Sequence, residues 1–322
     1  MSAGVAATAA LPAWAISDRS RRDEPVLPWE NPRDGAYISD QRTDWGGNVV
    51  VLAGGDGNVL VIDAKYTAYS AAIRHDAEIV GGKTVHFVNT HHHGDHTGGN
   101  VTFVGEGRSY GHEALIPRVE NQFRSYRRQI DNGEEIAGRL AESLVRYAAS
   151  VRAKLHTYDA TSWVPENAVP KSGTTLDVGG LEVRLAHQGP GHTDNDLIVH
   201  CPEKNIIHAG DLIFAGLNPF IDRNGGASAR SWVKSLELIE SMCDADTIVI
   251  PGHGKKGGVE IVRAQRSYLE NLLEEVQKKI DAGASRDEVV EATFGFQDGL
   301  GFGQIRGRAN AAVYDELTQD NG

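Results

Sequence analysis

Between His91 and His96 the chain reads His-His-His-Gly-Asp-His, four imidazoles and one carboxylate within six residues, directly after the apolar-rich run Thr84 to Val88. An extended backbone sends residues i and i+2 to the same side, so His91 and His93 converge while His92 points away, and Asp95 and His96 face a neighbouring position. Imidazole nitrogen with carboxylate oxygen suits a zinc site, and a catalytic ion takes about three protein ligands with one position open. At least two further ligands must therefore come from elsewhere. Three glycine-rich stretches offer them: Gly189-Pro190-Gly191-His192, His208-Ala209-Gly210-Asp211 and Pro251-Gly252-His253-Gly254. Each follows or flanks an expected strand, where loops carry function on a rigid scaffold. Their glycines permit tight turns and close approach of backbone to a ligand. His208, three residues before Asp211, reads as a hydrogen-bonded core histidine.

Elements that alternate in type must position these residues. Two β-branched runs, residues 47–53 and 58–63, flank Gly54-Gly55-Asp56-Gly57 and predict a hairpin ending at Asp63. A helix is expected over 66–80 and a strand over 84–90 that delivers the histidine cluster. Further strands are expected at 181–187, 196–201, 205–210 and 247–253. Apolar residues recur at helical spacing through Trp232, Val233, Leu236, Ile239 and Met242, and again through Leu269, Leu272, Leu273, Val276 and Ile280. Both read as helices packed on a sheet. Residues 112–160 are charged and helical in pattern, broken by Asp131-Asn132-Gly133-Glu134-Glu135, and read as a helical hairpin inserted between strands. There Phe123, Tyr126 and Tyr147 either fill the insertion's own core or line a lid over the site.

At 322 residues and 40% hydrophobic content the chain can bury a large core. Its net charge of -12 and lack of a basic run argue against a nucleic-acid partner. Two cysteines, Cys201 and Cys243, sit far apart and read as core thiols. The opening residues are small and apolar, and Ala13-Trp14-Ala15 has the form of a signal-peptidase site, so an exported or periplasmic location is expected, with a cytoplasmic one as the rival. No other apolar stretch is long enough to span a membrane. Residues 1–34 are read as leader and N-terminal arm, and 35–322 as one domain with C-terminal helices over about 258–322.

With these motifs in place the chain resembles the metallo-β-lactamase superfamily over roughly residues 35–260. The resemblance implies an α/β fold, a four-layered αββα sandwich with two metal ions at one edge of its sheets, here carrying the helical insertion. It implies that His91, His93 and His192 hold a first zinc, that Asp95, His96 and His253 hold a second, and that Asp211 bridges them. Asp63 matches the family's buried aspartate that steadies the metal loop. Iron or manganese can occupy the same donors.

Two zinc ions sharing a water lower its pKa to about 7 and supply hydroxide without a serine or cysteine nucleophile. Asp95 doubles as a proton shuttle. The expected reaction is hydrolysis of a small carbonyl substrate, whether lactam, lactone, ester or thioester. Lactamase branches with a similar Gly-Pro-Gly-His-Thr motif place cysteine or serine where this chain has Asp211, whereas a bridging aspartate resembles the glyoxalase II, lactonase and phosphodiesterase branches. The run from Gly210 to Gly226 resembles a broad bacterial hydrolase group. A phosphodiesterase of the same fold and a non-catalytic metal-binding or ligand-binding protein are the rival readings. Substrate-contacting residues are not legible.

Overall fold

The computed structural model describes residue 25 and residues 27–39, 46–131 and 160–319. Its first sheet runs β1 (Trp29–Arg33), β2 (Ala36–Ser39), β3 (Val49–Ala53), β4 (Asn58–Ile62), β5 (Thr84–Val88), β6 (Ser109–His112) and β7 (Asn167–Val169), in sequence order across the sheet. Pairing is antiparallel up to β4 and parallel beyond it. The β3–β4 hairpin forms where the sequence predicts it. Asp56 and Gly57 both take positive φ, 53° and 72°, and the Asn58 N–H donates to the Gly55 carbonyl at 2.9 Å. That left-handed pair makes the type I′ geometry that follows the twist of the flanking strands.

Both faces of this hairpin are buried, which places it inside a stack of layers. Val49, Val51, Val59 and Val61 pack under Ala72, Ile73 and Ala77 of helix α1 (Thr67–Val80). On the opposite face Val50, Leu52, Leu60 and Ile62 meet Leu176, Val183, Leu185, Val199 and Ile250. Those partners belong to a second sheet of β8 (Thr174–Val178), β9 (Leu181–Ala186), β10 (Ile198–Cys201), β11 (Ile206–Phe214) and β12 (Ile248–His253), ordered β12-β11-β10-β9-β8.

The outer face of the second sheet carries the fourth layer. After the one-turn α2 (Gly94–Thr97) and α3 (Leu115–Asp131), the chain forms α4 (Ala229–Ser241), α5 (Val259–Asp281), α6 (Arg286–Glu291) and α7 (Arg306–Gln319). Ser228 caps α4 by accepting from the Ser231 N–H, and Trp232, Leu236 and Ile239 pack with Leu269, Leu272 and Val276. The expected αββα order is therefore present.

Several elements differ from the sequence reading. Strand β1 already belongs to the sheet, ahead of the boundary drawn at residue 35. Residue 112 ends β6 rather than opening the insertion, whose first helix starts at Leu115. Strand β11 runs on to Phe214, so Asp211 lies inside a strand, at the irregularity around Gly210 (φ 53°) where the β11–β12 register shifts. Tyr147, the second half of the expected helical hairpin and the Ala13-Trp14-Ala15 motif lie outside the described residues.

Candidate metal centre

The parallel strands β4 and β5 end together, and their ends build the site. The Asp63 N–H donates to the Val88 carbonyl, so Asp63 stands beside the segment that leads to His91. His93 is extended (φ -64°, ψ 148°), as the i, i+2 argument requires, but residues 94–97 then close one helical turn. Asp95 and His96 are thus presented from a helix, not from an extended chain. His192 arrives from the loop before β10, Asp211 from within β11 and His253 from the end of β12.

These seven residues converge. Ligand atoms of His91, His93, His192 and Asp211 lie within 4.8 Å of one another, as do those of Asp95, His96 and His253. Asp211 joins the two groups. Its Oδ1 is 3.1 Å from His96 Nε2, and its Oδ2 is 3.4 Å from both His192 Nε2 and His253 Nε2 and 3.7 Å from His91 Nε2.

Outer partners decide which ring nitrogen each histidine turns inward. His96 Nδ1 donates to Asp63 Oδ2 at 2.7 Å, His192 Nδ1 to the Phe220 carbonyl at 2.7 Å, and His93 Nε2 to Asp222 Oδ2 at 2.9 Å. Thr90 Oγ1 donates to Asp63 Oδ2 at 2.7 Å and so accepts from His91 Nδ1 at 3.1 Å. With these protons placed outward, four lone pairs point inward, and His93 Nδ1 faces His192 Nε2 at 2.9 Å. Two lone pairs at that separation repel unless a cation neutralises them. His91 Nε2, His96 Nε2 and Asp211 Oδ1 are also buried without a hydrogen-bond partner. Each such orphan costs about 1–3 kcal/mol, and three at one point call for an ion. Nitrogen and carboxylate donors without a thiolate suit zinc, iron(II) or manganese.

Charge divides the cluster in the same way. Burial, reinforced by His96, holds His91 well below the usual histidine range, and burial with His93 brings His192 to about 4. Burial opposes protonation of His253 too, but Asp211 and Asp95 outweigh it and raise the group to about 9. Asp211, despite burial, stays well below the ordinary carboxylate range because His253, His96 and His91 surround it. His96, like His253, is raised, by Asp211, Asp63 and Asp95 against the effect of burial, so the His91 and His192 side offers neutral imidazoles while the carboxylates on the other side hold positive charge beside them, as protons or as a metal ion. Cys243 is pushed up to about 11 by burial and Asp244, and neither cysteine joins a metal-ligating group among the described residues.

Asp63 is fully buried and accepts from the Thr90 N–H at 2.8 Å as well as from Thr90 Oγ1 and His96, so it ties together the two ends of the histidine cluster. His208 is a core histidine: its Nε2 donates to the Asn48 carbonyl at 3.2 Å and its Nδ1 accepts from the Gly210 N–H at 3.0 Å. His92 turns outward to Asn195 Nδ2 at 3.0 Å and shares a separate small group with His93 and Asp222. Sequence reasoning missed Asp222. Its only signal was a carboxylate inside the Gly210–Gly226 run. The insertion's first helix reaches this side of the centre through Arg118, whose guanidinium bonds both Asp194 oxygens and the Asn224 carbonyl. Phe123 is buried against Trp163, with ring centroids 5.2 Å apart, and so serves packing.

A model of the metallo-beta-lactamase superfamily matches residues 42–253. The chain is 25% identical over 115 residues to a metallo-beta-lactamase type 2 of Bacteroides fragilis, covering 36% of this chain and 46% of that protein. It is 30% identical over 107 residues to an uncharacterized protein of Mycobacterium tuberculosis (strain ATCC 25618 / H37Rv), covering 32% and 47%. The chain thus spans about half the length of the curated relatives it matches. The solved structure of TMB-1 superposes with a TM-score of 0.54 at 20% identity, covering 76% of this chain and 97% of that one, a likeness of fold.

Proposed function

Because this chain belongs to the metallo-beta-lactamase superfamily, we propose that it is a two-metal hydrolase of small carbonyl compounds: lactams, lactones, esters or thioesters. One observation carries the reading. Four imidazoles have their outer nitrogens engaged by protein acceptors, so that their inner nitrogens turn toward Asp211, which joins two neighbouring groups of ligand atoms. His91, His93 and His192 would hold one ion, Asp95, His96 and His253 the other, and Asp211 both. Divalent ions held there supply a nucleophilic oxygen at neutral pH and polarise a carbonyl.

The chain's own groups do the rest. Asp63 and Asp222 fix the rings of His96 and His93, so little reorganisation accompanies the reaction. Asp95 is the more open carboxylate of the cluster, its side chain 24% exposed against 3% for Asp211. An anionic, partly open carboxylate can take a proton from the attacking water and pass it to the leaving group.

The test is a chromogenic panel of lactam, lactone, ester, thioester and bis-aryl phosphate substrates on zinc-loaded protein. Turnover of a carbonyl compound that stops on chelation supports the proposal. Cleavage of the phosphate alone replaces it with the phosphodiesterase reading. Tight binding of two ions with no turnover replaces it with a binding role.

A further inference from the structure

Beyond the matched segment, the chain returns to the metal cluster through a short glycine-rich stretch after α6. Phe302 lies there between Gly301 and Gly303, with φ 57°, a left-handed conformation that side-chain-bearing residues other than Asn and Asp rarely adopt. Its ring packs edge-on against His253, with centroids 6.0 Å apart. The segment is tied down on both sides. The Gly301 N–H donates to the Gly216 carbonyl at 3.0 Å, and the Gly301 carbonyl accepts from the Asn218 N–H at 2.8 Å and from Asn218 Nδ2 at 3.0 Å. Asn218 is itself buried and held by Tyr268 Oη at 3.0 Å, which Gln297 Nε2 holds in turn. A strained phenylalanine braced in this way is the kind of feature that collects at functional sites.

A second ring flanks the other half of the cluster. Phe220 lies 5.7 Å from the His93 ring and 6.0 Å from that of His192, and its carbonyl orients His192. Both phenylalanines are only partly buried. One therefore borders the His91, His93, His192 group and the other the Asp95, His96, His253 group. Small-molecule sites are lined mostly by apolar surface around a few polar groups, and these rings supply such surface beside the reacting centre.

We propose that Phe302, with Phe220 opposite, is a specificity-determining wall that selects carbonyl compounds bearing an apolar acyl substituent. The inference rests on the hydrolase reading for the nature of the reaction, but its test reads binding. The probes are acetate and octanoate, carboxylates that share a head group and differ in apolar length, bound to zinc-loaded protein and followed by calorimetry. Phe302→Gly removes the ring while glycine adopts φ 57° without strain, and retention of two zinc ions reports that the site is intact. Phe302→Leu keeps an apolar side chain at the same position.

Octanoate should bind wild type more tightly than acetate. That preference should fall about tenfold in Phe302→Gly and stay within about threefold in Phe302→Leu, with two zinc ions retained in each. An octanoate preference in Phe302→Gly within twofold of wild type, or no preference in wild type, overturns the wall. Preference without turnover on the substrate panel removes the hydrolase reading and leaves the wall standing. Turnover without chain-length preference does the reverse.

Discussion

Replacing Asp63 by asparagine separates the chemistry of the site from its packing, because volume is kept and asparagine tolerates the left-handed φ of 65° at this position. Asp63 accepts three hydrogen bonds, from the Thr90 N–H at 2.8 Å, Thr90 Oγ1 at 2.7 Å and His96 Nδ1 at 2.7 Å. An amide has one acceptor oxygen. If that oxygen keeps the Thr90 N–H, the NH2 group meets two donors, and the least costly escape is for His96 to move its proton to Nε2. That nitrogen is the one aimed at Asp211 Oδ1, 3.1 Å away, and protonated it cannot ligate. Loss of an orienting carboxylate behind a ligating histidine typically lowers metal affinity about 10–100-fold. Losing a charge-assisted hydrogen bond in a buried setting costs about 1.5–3 kcal/mol. Asp63→Asn should therefore bind one ion as wild type does and the other one to two decades more weakly. A stepwise zinc titration against a competing chelator reads both constants, and denaturant unfolding of the stripped protein reads the stability loss. Two unchanged zinc constants would refute the argument that Asp63 sets the His96 tautomer.

The other half of the centre should respond to Asp222→Ala, which frees His93 Nε2 and weakens the other zinc constant by about 10–100-fold, leaving the one sensitive to Asp63 in place; the same titration decides it. In Gly252→Ala the new Cβ would lie 1.9 Å from Asp211 Oδ1 and 2.7 Å from the Asp211 nitrogen, so elemental analysis should show fewer than two ions per chain. The Arg118–Asp194 pair should couple by less than about 1 kcal/mol in a double-mutant cycle, since both side chains are about 30% exposed. Its sign with pH is fixed. Asp194 lies below its ordinary value of 3.8, against the effect of burial, because Arg118 and Asn195 bond it, so the stabilisation is present above that value and disappears as pH falls through the lower folded one. A coupling that persists under stronger acid would contradict this.

What the sequence made legible follows from how local each signal is. The hairpin announced itself through β-branched runs around Asp56-Gly57, and the helices at α4 and α5 through apolar residues at helical spacing. Asp95 and His96 were misjudged in local geometry because a stretch of histidine, glycine and aspartate has no hydrophobic period to show that residues 94–97 turn into a helix. Strands β6 and β7 went unseen for a related reason. They are short, and Ser109-Tyr110-Gly111-His112 offers little alternation. Seven candidate ligands stood in compact motifs, whereas Asp222 acts on His93 across 129 residues and Phe302 on His253 across a helix-rich segment. Contacts of that range depend on how layers stack, and no spacing rule reports them.

The most direct test of the account is the rate of carbonyl-substrate hydrolysis as zinc is added back stepwise to chelator-stripped protein. The account predicts no turnover in the stripped protein and recovery that reaches its plateau at about two ions per chain, with Asp211→Ala failing to recover. Hydrolysis that survives complete removal of metal, or a fully loaded protein that turns over no lactam, lactone, ester or thioester, would contradict it.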